Sequence, residues 1–414
     1  MDSTSTQPAA AAGPVAPRGR IATLDILRGF SLLGMILAHF YKTMGGGAAA
    51  GGAGWIEWGI TMGVAEKDRA VFAFLFGVSF AVMLHRLEAR NLPVVAIFLR
   101  RLFMLYLLGF ALESLTRFSI LREYALWGVP LLLLRKYNTR TLLVLALLSA
   151  AAFSIRDLVD SGHAVVTLGH EGAVAAEREQ LQQWEEARRW ERETMAGAGY
   201  AEVVAWRFDR IVREIPTLYH LTPTINLALF ILGLLAVRHG IFEAPLRHRR
   251  LILGFMAMGL LIWVADWWLL PLLPADFATP RIALRLHGGL GVVDEQLLAF
   301  TYIGAVTLLL ANRPDRQSWL AAIGWVGRMA LTNYILQAAL IDYASSPYGL
   351  GLKIRPVEEL LATAILFGLQ ILLSRLWLSR FRYGPVEWLW RSFTYWRWQP
   401  LRIAPGQARM PQEA

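Results

Sequence analysis

RIATLDILRGFSLLGMILAHF, residues 20–40, is apolar apart from a short charged head and one histidine near its end. Taken as a helix over 22–42, it is about 30 Å long, the thickness of bilayer hydrocarbon. Ionisable groups inside such a run are costly and mark function by default. Three are present: Asp25, Arg28 and His39. At about 100° per residue, the eleven-residue step from Arg28 to His39 leaves them only about 20° apart, with Asp25 one turn below on nearly the same side. They share a stripe, but a rise of about 16 Å sets Arg28 and His39 in opposite halves of the membrane. A local Asp25–Arg28 ion pair at one boundary, with His39 reaching the other interface, would account for the same residues without chemistry.

The rest of the chain repeats the pattern. Of 414 residues, 56% are hydrophobic and 17% charged, too little charge to cover a soluble protein of this length. Apolar blocks of about 17 to 22 residues predict spans at 22–42, 68–85, 98–116, 121–135, 140–156, 218–237, 250–271, 295–312, 320–343 and 358–379. The fold class is therefore all-α: a polytopic integral membrane helix bundle of about ten transmembrane helices, with the lipid bilayer as its first partner. Gly128 and Pro130 mark 121–135 as a kinked or re-entrant piece.

The net charge of +10 does not point to nucleic acid, because the basic residues cluster between apolar blocks. Every second connection is basic: Arg86, Arg90, Arg100 and Arg101; Arg135, Lys136 and Arg140; Arg238, Arg247, Arg249 and Arg250; Arg313 and Arg316; Arg375, Arg380 and Arg382. By the positive-inside rule this alternation places both termini in the cytoplasm. With no cysteine there is no disulfide, thiolate site or thiol nucleophile. No Gly-rich phosphate loop or metal-ligand spacing appears, so neither a metal nor a tightly bound cofactor is expected. The stretch GGGAAAGGAG, 45–54, lacks the strand and helix such a loop needs and reads as a flexible connection.

Five regions follow: a disordered arm, 1–20; an N-terminal membrane half, 21–156; an extracytoplasmic helical segment, 157–217; a C-terminal membrane domain, 218–395; and a tail, 396–414. In the long connection, EREQLQQWEEARRWERET (177–194) should be a water-exposed helix. After it Val204, Phe208, Ile211, Val212 and Ile215 form one apolar stripe that suits a helix in the headgroup plane. PVEWLWRSFTYWRWQ (385–399) mixes Trp388, Trp390, Trp396 and Trp398 with arginines, as interfacial anchors do.

Further polar groups fall inside spans. Arg328, Thr332, Asn333 and Gln337 share a broad face of the ninth, either lining an acceptor cavity or bonding helices together. His220, Thr222, Thr224 and Asn226 surround Pro223, and Asp266 adjoins Trp267 and Trp268, where the aromatic belt is sufficient explanation. His287 reads as an outer-loop residue.

The opening helix resembles that of the YeiB-like bacterial membrane proteins, whose C-terminal domain of unknown function is numbered 418. The resemblance continues through AVFAFLFGVSFAVMLHR (70–86) and FLRRLFMLYLLG (98–109), and is most specific in GRMALTNYILQ (327–337) and FRYGPVEWLWRSFTY (381–395). The LD-x-LRG opening is shared with a superfamily of transmembrane acyltransferases, which move an acyl group from cytoplasmic acyl-CoA to a sugar or similar acceptor. In one branch, an Arg, ten residues and a His mark the catalytic helix; Arg28 and His39 match that spacing. In the YeiB-like pattern the His39 position is more often Asn. The segment GFALESLTRFSILREYALWG (109–128) has Leu112 and Ser119 where that family commonly has His and Asp, with Glu113 and Arg122 nearby.

The resemblance implies an acyltransferase with acyl-CoA as co-substrate and a small-molecule, lipid or carbohydrate acceptor. His39 would be the base and Arg28, positioned by Asp25, would hold CoA phosphate. Arg100 and Arg101 at the cytoplasmic mouth would meet nucleotide phosphates or simply anchor the helix, and Arg328, Asn333 and Gln337 would contact the acceptor. The alternatives are a transporter, with the same residues lining a solute path, and a non-catalytic membrane assembly factor. The sequence carries no signal for an oligomeric state.

Overall fold

The computed structural model describes residues 22–44, 54–64, 67–215, 225–269, 272, 280–313 and 316–403. Fourteen α-helices account for nearly all of them. In chain order they begin with α1 (Ala22–Met44), α2 (Gly54–Gly63), α3 (Lys67–Ala89), α4 (Val94–Leu115) and α5 (Leu121–Leu134). Then come α6 (Thr139–Ala196), α7 (Tyr200–Glu214), α8 (Ile225–Arg238), α9 (Arg249–Leu269) and α10 (Pro280–Asn312). The chain closes with α11 (Arg316–Arg328), α12 (Ala330–Ser345), α13 (Pro356–Arg380) and α14 (Pro385–Thr394). Among the described residues there is no strand, only a single antiparallel bridge between Phe381 and Arg402. The N-terminal arm, most of GGGAAAGGAG, the group from His220 to Thr224 and the last residues of the tail lie outside the described residues, as do the side chains of Asp266, Trp267 and His287.

Helix α13 shows which solvent the bundle is built for. Leu361, Ile365, Leu369, Leu372 and Leu376 lie along its exposed face, while Thr363, Gln370 and Ser374 are buried. That is the reverse of a water-soluble helix, and it follows when lipid covers the outside and the bundle supplies the only hydrogen-bond partners. Five helical stretches are long and apolar enough to cross a bilayer, and two shorter apolar helices accompany them. The protein is an integral membrane protein.

The helices of the core approach closely where glycine removes the side chain. A Cβ on Gly327 would overlap the carbonyl oxygen of Asp25, and one on Gly29 the carbonyl oxygen of Ile323, so α11 lies directly on α1. Gly77 and Gly233 do the same for α3 and α8, meeting Phe230 and Phe74 backbone atoms. Small residues at a crossing maximise dispersion contact, the main attraction left between helices in lipid.

Several elements depart from the expected spans, among them α10, which begins at Pro280, fifteen residues before the expected 295. The run 320–343 is not one helix: it breaks at Met329 into α11 and α12. The span at 140–156 continues into the 58 residues of α6, which folds back at Gly169 (φ 72°, ψ 169°). Ser161 Oγ reaches Glu177 Oε1 at 3.2 Å across this hairpin, although 16 residues of straight helix would hold them about 24 Å apart. The stretch 121–135 is a helix that tolerates Pro130 within it. The charged run 177–194 is helical, and beyond the buried Glu177 its described side chains are exposed, as the composition requires.

The amphipathic helix also differs in detail. On α7 the residues buried against the bundle are Val203, Arg207 and Ile211, whereas Phe208, Val212 and Ile215 of the apolar stripe point outward. Of that stripe Ile211 is buried, and Phe208 stands edge-on to Phe110 of α4 with ring centroids 5.4 Å apart. The rest is left for lipid, because the docking face is chosen by Arg207, which finds buried acceptors there.

Candidate functional site

The ionisable residues of α1 are not scattered. Arg28 Nη1 bonds Asp25 Oδ1 at 2.6 Å, and Arg28 Nη2 donates to Ser79 Oγ on α3 at 2.8 Å. Ser79 Oγ in turn donates to the Leu75 carbonyl. The guanidinium is thus fixed across two helices at the wall of a cavity of about 290 Å³. Six guanidinium groups line this cavity, from Arg28, Arg86, Arg90, Arg101, Arg328 and Arg391, against two carboxylates, Asp25 and Glu387. In a low-dielectric wall such a surplus is a strong field for an anion.

The cavity is long and narrow. Along α3 its lining extends from Leu87 to Phe72, fifteen residues or about 22 Å of helix. Its upper part is apolar and aromatic: Phe72, Leu75, Phe76, Leu121 and Tyr124. At that end Phe72 stacks on Tyr334 with ring centroids 6.4 Å apart, and Tyr334 lies 6.5 Å from the His39 ring. Two rings in succession, Phe72 of the slot wall and Tyr334 behind it, therefore stand between the slot and the imidazole, which does not itself line the cavity. On its other side His39 stacks flat against Phe118, centroids 4.0 Å apart and planes 19° apart.

The C-terminal helices close the arginine-rich end. At the break between α11 and α12, Glu387 of α14 caps the new helix N-terminus: Oε1 accepts from Leu331 N (2.6 Å) and Thr332 N (3.0 Å), and Oε2 from Thr332 Oγ1 (2.5 Å). These are the orphan donors any helix start exposes, met here by a carboxylate that also complements the helix dipole. Gly384 lies close enough to Thr332 and Glu387 that a Cβ would obstruct the cap. Trp390 donates its indole N–H to the Arg101 carbonyl at 2.9 Å, and the Arg101 guanidinium lies 3.7 Å over the Trp390 ring.

Of the residues singled out in the sequence, Asp25, Arg28, Arg101 and Arg328 line this cavity together. Arg100 points elsewhere and bonds the Ala96 carbonyl of its own helix. Asn333 and Gln337 face α13: Asn333 Nδ2 donates to Val326 O and Ser374 Oγ, and Gln370 Nε2 donates to Asn333 O and Gln337 Oε1. Their contacts are those that hold helices together. Glu113 and Arg122 pair with each other in a bidentate bridge of 2.9 and 3.0 Å, and Asn226 Nδ2 donates to Glu123 Oε1.

Sequence reasoning passed over Ser79, Glu387, Trp390, Arg391 and Tyr395 as site residues, together with Phe118 and Tyr334. The signal for the C-terminal group was the pair of motifs 327–337 and 381–395, which the fold brings into contact at the Glu387 cap. It also passed over a polar cluster at the end of the bundle away from the arginines. Asp342, almost fully buried, accepts from Arg117 Nε (2.8 Å), from both Arg207 Nη atoms (3.3 Å each) and from the Tyr348 hydroxyl. Burial and the bond to Asp342 push the Tyr348 pKa above the ordinary tyrosine value, so the hydroxyl stays a donor.

A bundle with lipid-facing leucines and an internal arginine-rich slot defines an integral membrane protein. Residues 236–397 match the family described as "Protein of unknown function (DUF418)", and residues 20–170 match the catalytic region of heparan-alpha-glucosaminide N-acetyltransferase. Protein YxaH of Bacillus subtilis is 30% identical over 415 residues, covering 94% of this chain and 97% of that protein. A 39.9 kDa protein from the amylase 3' region of Bacillus acidopullulyticus is 28% identical, covering 94% and 98%. Protein YeiB of Escherichia coli is 40% identical over 97 residues, 23% of this chain and 25% of YeiB. The chain belongs to the YeiB-like family of bacterial membrane proteins. No solved structure matches it.

Proposed function

We propose that this protein is a membrane acyltransferase that takes acyl-CoA from the cytoplasm through the arginine-rich end of the slot. It passes the acyl group at His39 to a hydroxyl-bearing small molecule, lipid or carbohydrate on or near the far side. The observation that carries the reading is the slot itself, cationic at its mouth, apolar and aromatic at its inner end, and separated from His39 by the rings of Phe72 and Tyr334. An elongated substrate with a phosphorylated head and a thioester at its far end matches that profile. The match of residues 20–170 to an acetyltransferase catalytic region covers α1, α3 and most of the lining.

In the proposed reaction, Arg28, Arg101 and Arg328 neutralise phosphate charge, with Asp25 and Ser79 holding the Arg28 fork in place. The acceptor hydroxyl oxygen bonds the thioester carbonyl carbon while His39 takes the hydroxyl proton. The carbon–sulfur bond then breaks, and His39 returns the proton to the departing thiolate. For this to happen the layer of Phe72, Tyr124 and Tyr334 must part and admit the thioester. The orientation implied by the basic connections, about ten spans with both termini in the cytoplasm of a bacterial inner membrane, puts the slot's mouth on the side where acyl-CoA is made.

A transporter reading uses the same slot as a path for an anionic solute, and one assay separates the two. Purified protein in lipid nanodiscs is given acyl-CoA and followed for thiol release, beside His39→Ala and Arg28→Ala. The enzyme reading expects turnover by the wild type, loss of at least about 100-fold in His39→Ala, and retained folding. Equal thiol release by wild type and His39→Ala would remove His39 from the chemistry.

A further inference from the structure

Five residues, 116–120, join α4 to α5 at the end of the bundle away from the arginines, and they carry the ring that covers His39. Phe118 lies flat on the imidazole. Nothing in a stacked ring pair fixes it by itself, since such contacts are worth about 1 kcal/mol. The connection is held by polar bonds from its neighbours. Arg117 sends its backbone N–H and Nε to Asp342 Oδ1 (3.3 and 2.8 Å) and Nη2 to Ser346 Oγ (2.5 Å). Ile120 N donates to the Tyr334 hydroxyl at 3.2 Å.

The same carboxylate seats α7. Arg207 bonds Asp342 through both Nη atoms, gives a further bond to the Leu115 carbonyl at the start of the connection, and reaches the Tyr348 hydroxyl. Tyr200, on the first turn of α7, also donates to the Leu115 carbonyl. Helix α7 also buries Val203 and Ile211, sets Phe208 edge-on to Phe110 of α4 and pairs Glu214 with Arg122, while Val212 and Ile215 face outward. Its outward apolar positions are at home in lipid, and the polar bonds at Asp342 are the ones that tie its seat to the 116–120 connection.

We infer that Phe118 is a lid over His39, and that Asp342 is the latch which holds the lid shut and couples it to the docking of α7. This rests on His39 being the reactive imidazole, and it gives the far side of that site a gate. Access to His39 from the end opposite the slot opens when α7 lifts and Arg117 releases Asp342.

The chain has no cysteine, so one introduced thiol reports on access without background. The His39→Cys protein in nanodiscs is treated with a charged, membrane-impermeant maleimide, and the labelling rate is compared with the same protein carrying Phe118→Ala, Arg117→Gln or Arg207→Gln. Either arginine change leaves Asp342 a second guanidinium partner, so no carboxylate is stranded, and unfolding midpoints read in parallel monitor the fold. Each change should speed labelling about tenfold, through loss of the covering ring in Phe118→Ala and of a charge-assisted bond from the closed state in the two arginine variants. Parental rates in all three folded variants would overturn the lid; acceleration by Phe118→Ala alone would overturn the latch. No acyl donor is used, so this result and the acyl-transfer result fail separately.

Discussion

Arg28 is the residue on which the cavity depends most directly. Its fork touches Asp25 on one helix and Ser79 on another, an arrangement that a lysine's single ammonium cannot reproduce. Arg28→Lys should therefore weaken acyl-CoA affinity about tenfold while barely altering the unfolding temperature, as measured by equilibrium binding in nanodiscs. Arg100→Gln should change neither by more than about 0.5 kcal/mol, because that side chain lies outside the cavity. Tyr348 supplies a pH test. Its raised pKa means that the bond to Asp342 strengthens the fold fully below the ordinary tyrosine value of 10.0 and is lost as pH rises through the higher folded-state value. Tyr348→Phe should cost about 1.5 kcal/mol at neutral pH, and the gap from wild type should close only in alkali above that value. Among single residues, the Asp25, Arg28 and His39 stripe was legible because all three lie on one helix, where angle and rise follow from spacing. Arg86, Arg391 and Ser79 were not legible, because the positive-inside rule explains a basic loop equally well whether or not it faces a cavity.

At the scale of elements, the α1–α11 crossing and the α12 cap position the site. Gly327→Ala would push a methyl group into the Asp25 backbone, and α11 would have to move off α1. Overpacking of this kind costs about 1–3 kcal/mol, and here it should also loosen Asp25 and reduce acyl-CoA affinity. Thermal unfolding and binding should fall together. Glu387→Ala strands the Leu331 and Thr332 donors in a buried place and should cost about 2 kcal/mol, with Glu387→Gln, which retains one acceptor, losing less. Helix existence was legible nearly throughout from apolar run length. The break at Met329 was not, because the run 320–343 holds no proline and its polar residues suit one continuous helix face. It is made by a carboxylate some 55 residues away, which no local pattern can announce. The same distance hid the role of Trp390 and Glu387, which read locally as part of an interfacial belt.

Across the whole molecule, the charge asymmetry that orients the helices also builds the slot. Arginines from the connections and helix ends at one end converge around Arg28, while the other end gathers its charge into mutually satisfied groups around Asp342 and Arg122. One end presents a cationic opening and the other a closed polar seal, with His39 between them. The fold class could be read from composition, but this division of labour could not, since it depends on which side chains turn inward. The central claim is that the slot receives acyl-CoA. The most direct test is equilibrium binding of a non-hydrolysable acyl-CoA analogue to wild type and to Arg28→Gln/Arg328→Gln in nanodiscs, each at low and high salt. Binding by the wild type should weaken with salt, and the double variant should bind at least about 100-fold more weakly. Equal affinity in the two proteins, or no binding to either, would contradict the claim.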